Sequence, residues 1–123
     1  MLGFWWPRLP HWLNLSPRTC TDVQSLIDSH RPNGRRAGEL TVLVHEALHA
    51  YGSVNEAETN CHAIQLLPTF GLSLGFSPST AKYLGKLAYN YVRRGAPRGY
   101  WDAARCRDGG TWDLNPGIRN LDV

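Results

Sequence analysis

The segment from Glu39 to Tyr51, ELTVLVHEALHAY, is built for one conformation. Leu40, Leu43, Val44, Ala47, Leu48 and Tyr51 recur at helical spacing, and Gly52 follows in the usual stop position. Inside this run stands His45-Glu46-Ala47-Leu48-His49. Residues four apart on a helix share a face, with Cβ atoms about 5–6 Å apart, so two imidazoles can converge on one ion. Zinc accepts such nitrogens at about 2.0–2.1 Å. Glu46 sits roughly 100° round the helix. From there it can take a proton from a water that the ion polarises, which is the general-base role in metal-assisted hydrolysis. A shuffle of this composition yields the pattern with a probability of about 0.6%. The competing reading is a capped or exposed histidine pair on an ordinary helix. Leu43, Val44, Ala47 and Leu48 count against it, because they set the polar trio beside a core.

A catalytic zinc takes three protein ligands and keeps one position open. The segment N-E-A-E-T-N-C-H, residues 55–62, offers Glu56, Glu58 and His62. If the next helix folds back antiparallel after a tight turn at Gly52-Ser53, its first turn lies beside the last turn of the histidine helix. Glu56 then falls near both histidines. Glu58, two residues on, points to the other side and is the alternative ligand, while His62 lies past the ion. Asn60, one helical turn after Glu56, faces the same way and can hydrogen-bond a liganding imidazole.

Around this centre the chain reads as mainly helical. Ser16-Pro17 opens a helix to about Ser29, and His30 to Gly38 reads as a loop. The ligand helix starts near Ser53 to Asn55 and ends at Leu67, before Pro68. A Gly-rich loop covers 69–77, and Ser77-Pro78 opens a third long helix to about Arg94. The remainder carries one short helical turn around Trp101 to Arg105. Residues 1–12 have no period and read as an irregular N-terminal segment. Residues 13–123 read as a single metal-binding domain, with room for one short strand at Leu13-Asn14-Leu15.

Composition sets the outer limits. The 123 residues suffice for one domain, and the 42% hydrophobic and 19% charged content is that of a folded chain. A net charge of +3 is too small to mark a nucleic-acid binder. The longest uncharged stretch, Ala63 to Ala81, is broken by Pro68, Gly71, Gly75 and Pro78, so no membrane span is expected. Cys20, Cys61 and Cys106 form no C-x-x-C pair. Two readings stay open for them: a Cys61–Cys106 bridge that pins the C-terminal segment, or three reduced thiols.

H-E-A-L-H followed by N-E-A-E-T-N resembles the zincin metallopeptidases of gluzincin type, in which H-E-x-x-H is completed by a Glu on the following helix. The stretch Glu56 to Pro68 is similar to the third-ligand helix of bacterial ImmA/IrrE-like peptidase domains. The order L-S-P-x-x-C, H-E-x-x-H-x-x-G, N-E-A, C and C-R-D-G-G-x-W-D-L-x-P, over residues 13–117, resembles a group of small bacterial H-E-x-x-H proteins. The resemblance implies zinc held by His45, His49 and Glu56, with Asn60 orienting a histidine and Glu46 as the base. It implies a minimal zincin-like domain with an active-site helix packed antiparallel to a ligand helix, acting on a peptide or protein. The spacing from His49 to Glu56 is shorter than in most gluzincins. Gly52 also fits the metzincin pattern, but Asn55 stands where its third His belongs, and the only Met is Met1. Against its lookalikes the chain starts abruptly. A genuine start implies a cytoplasmic protein, and a truncated one an extracytoplasmic protein.

Hydrolysis also needs a group for the developing oxyanion. Tyr100 is the first candidate, with Arg98, Tyr51, Tyr89 and Tyr91 behind it. The arginines at 93, 94, 98, 105 and 107 form a basic cluster that reads as a solvated surface, with an acidic substrate or an anionic surface as the alternative. The expected activity is zinc-dependent peptide-bond hydrolysis. The alternatives are a non-catalytic metal-binding module and a helical interaction module without metal.

Overall fold

A computed structural model of the chain describes residues 13–121, and residues 3–5 by their backbone. Strands β1 (Gly3–Trp5) and β2 (Leu13–Leu15) are followed by helices α1 (Pro17–Ser29), α2 (Gly34–Ala50), α3 (Glu56–Ser73) and α4 (Pro78–Gly95), then by a non-helical C-terminal segment. The fold is mainly α, as the periodicity predicts. Ser16 and Ser77 act as the cap-then-proline pairs require: each hydroxyl accepts a backbone N–H three residues on, from Thr19 and Thr80, both at 3.2 Å.

Three boundaries differ from expectation, each for a tertiary reason. Helix α2 begins at Gly34, inside the stretch expected to be a loop. Asn33 caps it by accepting the Arg36 N–H at 2.8 Å. Gly38, loop punctuation by sequence, is a contact residue in the fold. A Cβ there would lie 2.2 Å from Cδ1 of Tyr91 on α4, so only glycine lets that ring lie on the helix backbone.

Helix α3 begins at Glu56, capped by Asn55, and runs through Pro68 to Ser73 instead of stopping at Leu67. Proline forfeits one helical hydrogen bond. Here α4 packs closely along α3, and a Cβ on Gly85 would come within 3.2 Å of Pro68 Cγ. That packing carries the helix past its break, and the expected loop over 69–77 shrinks to 74–77. Finally, β2 pairs antiparallel with β1, Phe4 opposite Asn14. Part of the stretch expected to be irregular is therefore a strand; residues 1–2 and 6–12 lie outside the described residues.

Leu26, Leu40, Val44, Ile64, Leu67 and Leu84, from all four helices, are fully buried together with Leu121 of the C-terminal segment. Among the described residues no helix is long and apolar enough to cross a membrane. The C-terminal segment is tied to α3 at points. A Cys61–Cys106 disulfide, Cα–Cα 5.7 Å, realises the bridged reading and leaves Cys20 exposed as a free thiol. Gln65 donates to the Trp112 carbonyl and accepts from the Leu114 N–H, both at 2.8 Å. The turn expected around Trp101 to Arg105 is present, with Asp102 Oδ1 accepting the N–H groups of Ala104 and Arg105.

Candidate metal centre

Helix α2 ends in a tight reversal. Gly52, at φ 105°, turns the chain while its N–H and that of Ser53 bond back to the His49 and Leu48 carbonyls. Three residues later α3 starts and brings Glu56 beside the last turn of α2. His45, His49 and Glu56 then offer ligand atoms that all lie within 4.8 Å of one another. Both histidines are buried, at 6% and 8% exposure, and Glu56 is half-buried.

The hydrogen bonds fix what the imidazoles present. Asn60 gives its amide N–H to the Tyr100 carbonyl at 2.8 Å, so its Oδ1 faces His45 and accepts from His45 Nδ1 at 2.7 Å. His49 Nδ1 donates to the Ser53 carbonyl, also at 2.7 Å. With both Nδ1 atoms acting as donors, each neutral ring turns its Nε2 lone pair inward. The two Nε2 atoms approach to 2.8 Å, and Glu56 Oε1 lies 3.4 Å from that of His45 and in contact with that of His49. Lone pairs converging this closely repel unless positive charge sits among them. The donor set fits a metal ion, and the residues present are the ones that could hold it.

Burial lowers the pKa of His45, against opposing contributions from Asn60 and Glu56, and so favours the neutral ring that a metal requires. Glu46, 5% exposed, has its pKa raised by burial, and its Oε2 is enclosed without a hydrogen-bond partner. Glu46 follows His45 on α2 and lines the same cavity as His45. Tyr100 comes from the C-terminal segment. Its ring stacks on that of His45, centroids 6.4 Å apart, and its hydroxyl hydrogen-bonds Glu56, which with burial raises the phenol's pKa.

The other candidates separate from this centre. Glu58 and His62 are half-buried on α3 but are not members of the ligand group. Tyr51 is 91% exposed, Arg98 is exposed, Tyr89 packs edge-on against Trp101, and Tyr91 covers Gly38. Two features have no signal in the residue types. One is the Ser53 carbonyl, since every residue carries a carbonyl. The other is a cavity of about 940 Å³ that opens beside His45, Glu46, Asn60 and Tyr100, between α2, α4 and the 96–100 loop. It is formed by helix packing and not by any motif. No protein-family model, curated protein or solved structure matches this chain.

Proposed function

We propose that the chain is a zinc-dependent peptidase of the zincin type, gluzincin-like in ligand order, with His45, His49 and Glu56 as ligands and Glu46 as general base. Two neutral imidazoles and one carboxylate, with room for a fourth group, are the donor set of catalytic zinc. The observation that carries the reading further than metal binding is Glu46. Its enclosed, unpartnered carboxylate oxygen stands beside the ligand group and on the wall of a cavity. A purely structural metal site has no use for such a group.

Bound among these ligands, zinc would polarise water and a substrate carbonyl. The chain's own residues supply the rest. Glu46 takes the proton from the attacking water and returns it to the leaving amine, and its raised pKa brings it closer to the range of a working base. Tyr100 holds its hydroxyl at the same point through Glu56 and can donate to the oxyanion that forms. Asn60 and the Ser53 carbonyl keep the two imidazoles turned inward.

Zinc content and cleavage of a mixed peptide library, read by mass spectrometry, test the reading on wild type and Glu46→Gln together. The expected result is about one zinc in both proteins and cleavage by wild type alone. A wild type without zinc, or a Glu46→Gln protein that cleaves at the full rate, would overturn it.

A further inference from the structure

The cavity beside Glu46 is more than access for water. Its volume of about 940 Å³ is that of a site for a bulky ligand. Away from Glu46 its lining is largely apolar: Val42, Leu87, Tyr91, Val92, Ala96 and Pro97. The walls come from two rigid helices. Val42 precedes His45 by three residues on α2, so it shares that face and places apolar surface directly next to the metal ligands. Tyr91 is set from α4 against Gly38, in a contact that no side chain larger than hydrogen allows. At the rim stands Arg94, exposed. Of the two carboxylates on the same lining, Glu39 is 1% exposed and already engaged by Thr19 at 2.6 Å and Arg18 at 3.8 Å, and Glu46 belongs to the metal centre.

We infer that this cavity seats a large apolar side chain of a peptide that carries a carboxylate beyond it, the apolar group lying against Val42 and Tyr91 and the carboxylate meeting Arg94. The inference rests on the peptidase reading for the nature of the ligand. The cavity shares His45, Glu46, Asn60 and Tyr100 with the metal centre, so whatever fills it is presented to that centre. A small residue leaves the apolar wall wet. Burying a phenyl group there corresponds to about a tenfold to hundredfold gain in affinity over glycine. A glutamate beyond it gains modestly over a lysine, because Arg94 is exposed to solvent.

The test is a calorimetric titration of metal-free protein, its disulfide intact, with blocked hexapeptides. One carries a phenylalanine followed by a glutamate; its counterparts replace the phenylalanine by glycine or the glutamate by lysine. The phenylalanine–glutamate peptide is expected to bind at least about tenfold tighter than the glycine peptide and a few-fold tighter than the lysine peptide. Val42→Phe, which fills the cavity, should remove the first preference, and Arg94→Gln the second. Ala96→Leu fills the same cavity from the 96–100 loop and replaces Val42→Phe if that variant fails to fold. Equal binding of the phenylalanine and glycine peptides overturns the inference, even where the zinc protein cleaves both. A preference that survives the filled cavity overturns it as well. A preference abolished by filling supports it, even where no peptide is cleaved and the peptidase reading fails.

Discussion

The α2–α3 hairpin and the C-terminal segment from Ala96 to Leu121 both build the candidate centre, by opposite means. The hairpin supplies His45, Glu46, His49, Glu56 and Asn60 from two helices joined by a five-residue reversal. Its backbone bonds are internal, and its position follows from burial of Leu40, Val44 and Ile64. The C-terminal segment has no regular structure and holds its course through side chains that reach across. Those are Cys61 to Cys106, Gln65 to Trp112 and Leu114, Asn60 to the Tyr100 carbonyl, and Asp108 to the N–H groups of Asn120 and Leu121. The first three of these ties start on α3, from Cys61, Gln65 and Asn60. One helix therefore turns Glu56 and Asn60 to the ligands and Cys61 and Gln65 to the segment that brings Tyr100. A hairpin of this kind is robust to the loss of any one bond, whereas the segment depends on a few.

The largest effect should come from breaking the hairpin's convergence. On the proposed reading, His45→Ala or His49→Ala leaves two ligands, too few to hold zinc tightly, and zinc should be lost on dialysis. The Cys61–Cys106 bridge should survive in both variants, since neither cysteine belongs to the ligand group. Zinc content by plasma emission and non-reducing peptide mapping check the two halves. Retention of stoichiometric zinc by either variant would remove that histidine from the ligand set.

Next in size is the segment's own tie. The bridge closes a loop across a sequence separation of 45. Removing it with Cys61→Ala and Cys106→Ala together should cost about 4 kcal/mol in the chain-entropy account of cross-links. Urea unfolding measures this: the midpoint should fall, and the slope should rise, because the unfolded chain without its cross-link exposes more surface. If the hairpin and segment are as separable as the ties suggest, the reduced protein keeps its zinc under mild conditions and loses the protection of the Tyr100 region from hydrogen exchange. Loss of zinc in step with reduction would show that the two regions are one unit.

Asn60 belongs to both regions and gives a smaller, sharper test. Asn60→Ala removes the acceptor of His45 Nδ1 and the donor to the Tyr100 carbonyl at once. Loss of a group that orients a metal-bound histidine lowers metal affinity by about tenfold to a hundredfold. Asn60→Asp keeps the acceptor but not the donor, so it should recover most of the affinity and not the order of the segment. A competition titration with a zinc-binding dye reads the first effect. If Asn60→Ala binds zinc as wild type does, His45 is positioned by packing alone.

The same contrast explains what can be read without coordinates. The two Ser-Pro helix starts, the His45/His49 face and Glu56 one turn from Asn60 are local: they depend on helical period, capping and a short reversal, all written within a few residues. The Cys61–Cys106 pairing stays one of two open readings in the sequence, because its partners stand 45 residues apart and only the fold brings them together. What escapes depends on partners far along the chain. Gly38 and Gly34 read as loop residues because the ring that requires Gly38, Tyr91, lies on another helix. Pro68 reads as a terminator because the packing that carries α3 past it comes from Gly85. β1 has three residues and no pattern of its own; its pairing with β2 defines it. Tyr100 heads the candidates in the sequence, but its place over His45 depends on the ties from Asn60, Cys61 and Gln65.

The smallest expected effect concerns Glu46, a buried carboxylate that stability alone would not choose. Burial raises the pKa of Glu46 above its ordinary value of 4.5, which makes its ionised form a cost to the folded state of the metal-free protein. The sign follows from linkage. Below pH 4.5 the carboxyl is protonated in both states and contributes nothing. As the pH rises, the unfolded chain releases its proton first, so stability is lost from 4.5 upward until the pH passes the raised folded value. An amide in its place cannot ionise, so Glu46→Gln should be the more stable protein near neutral pH, with the difference shrinking toward about pH 4. Urea midpoints of the two metal-free proteins across that range make the measurement. A constant difference, or one that grows on acidification, would mean that the Glu46 carboxylate finds a partner in solution. The free base beside the metal would then be lost, while the ligand set of His45, His49 and Glu56 would stand.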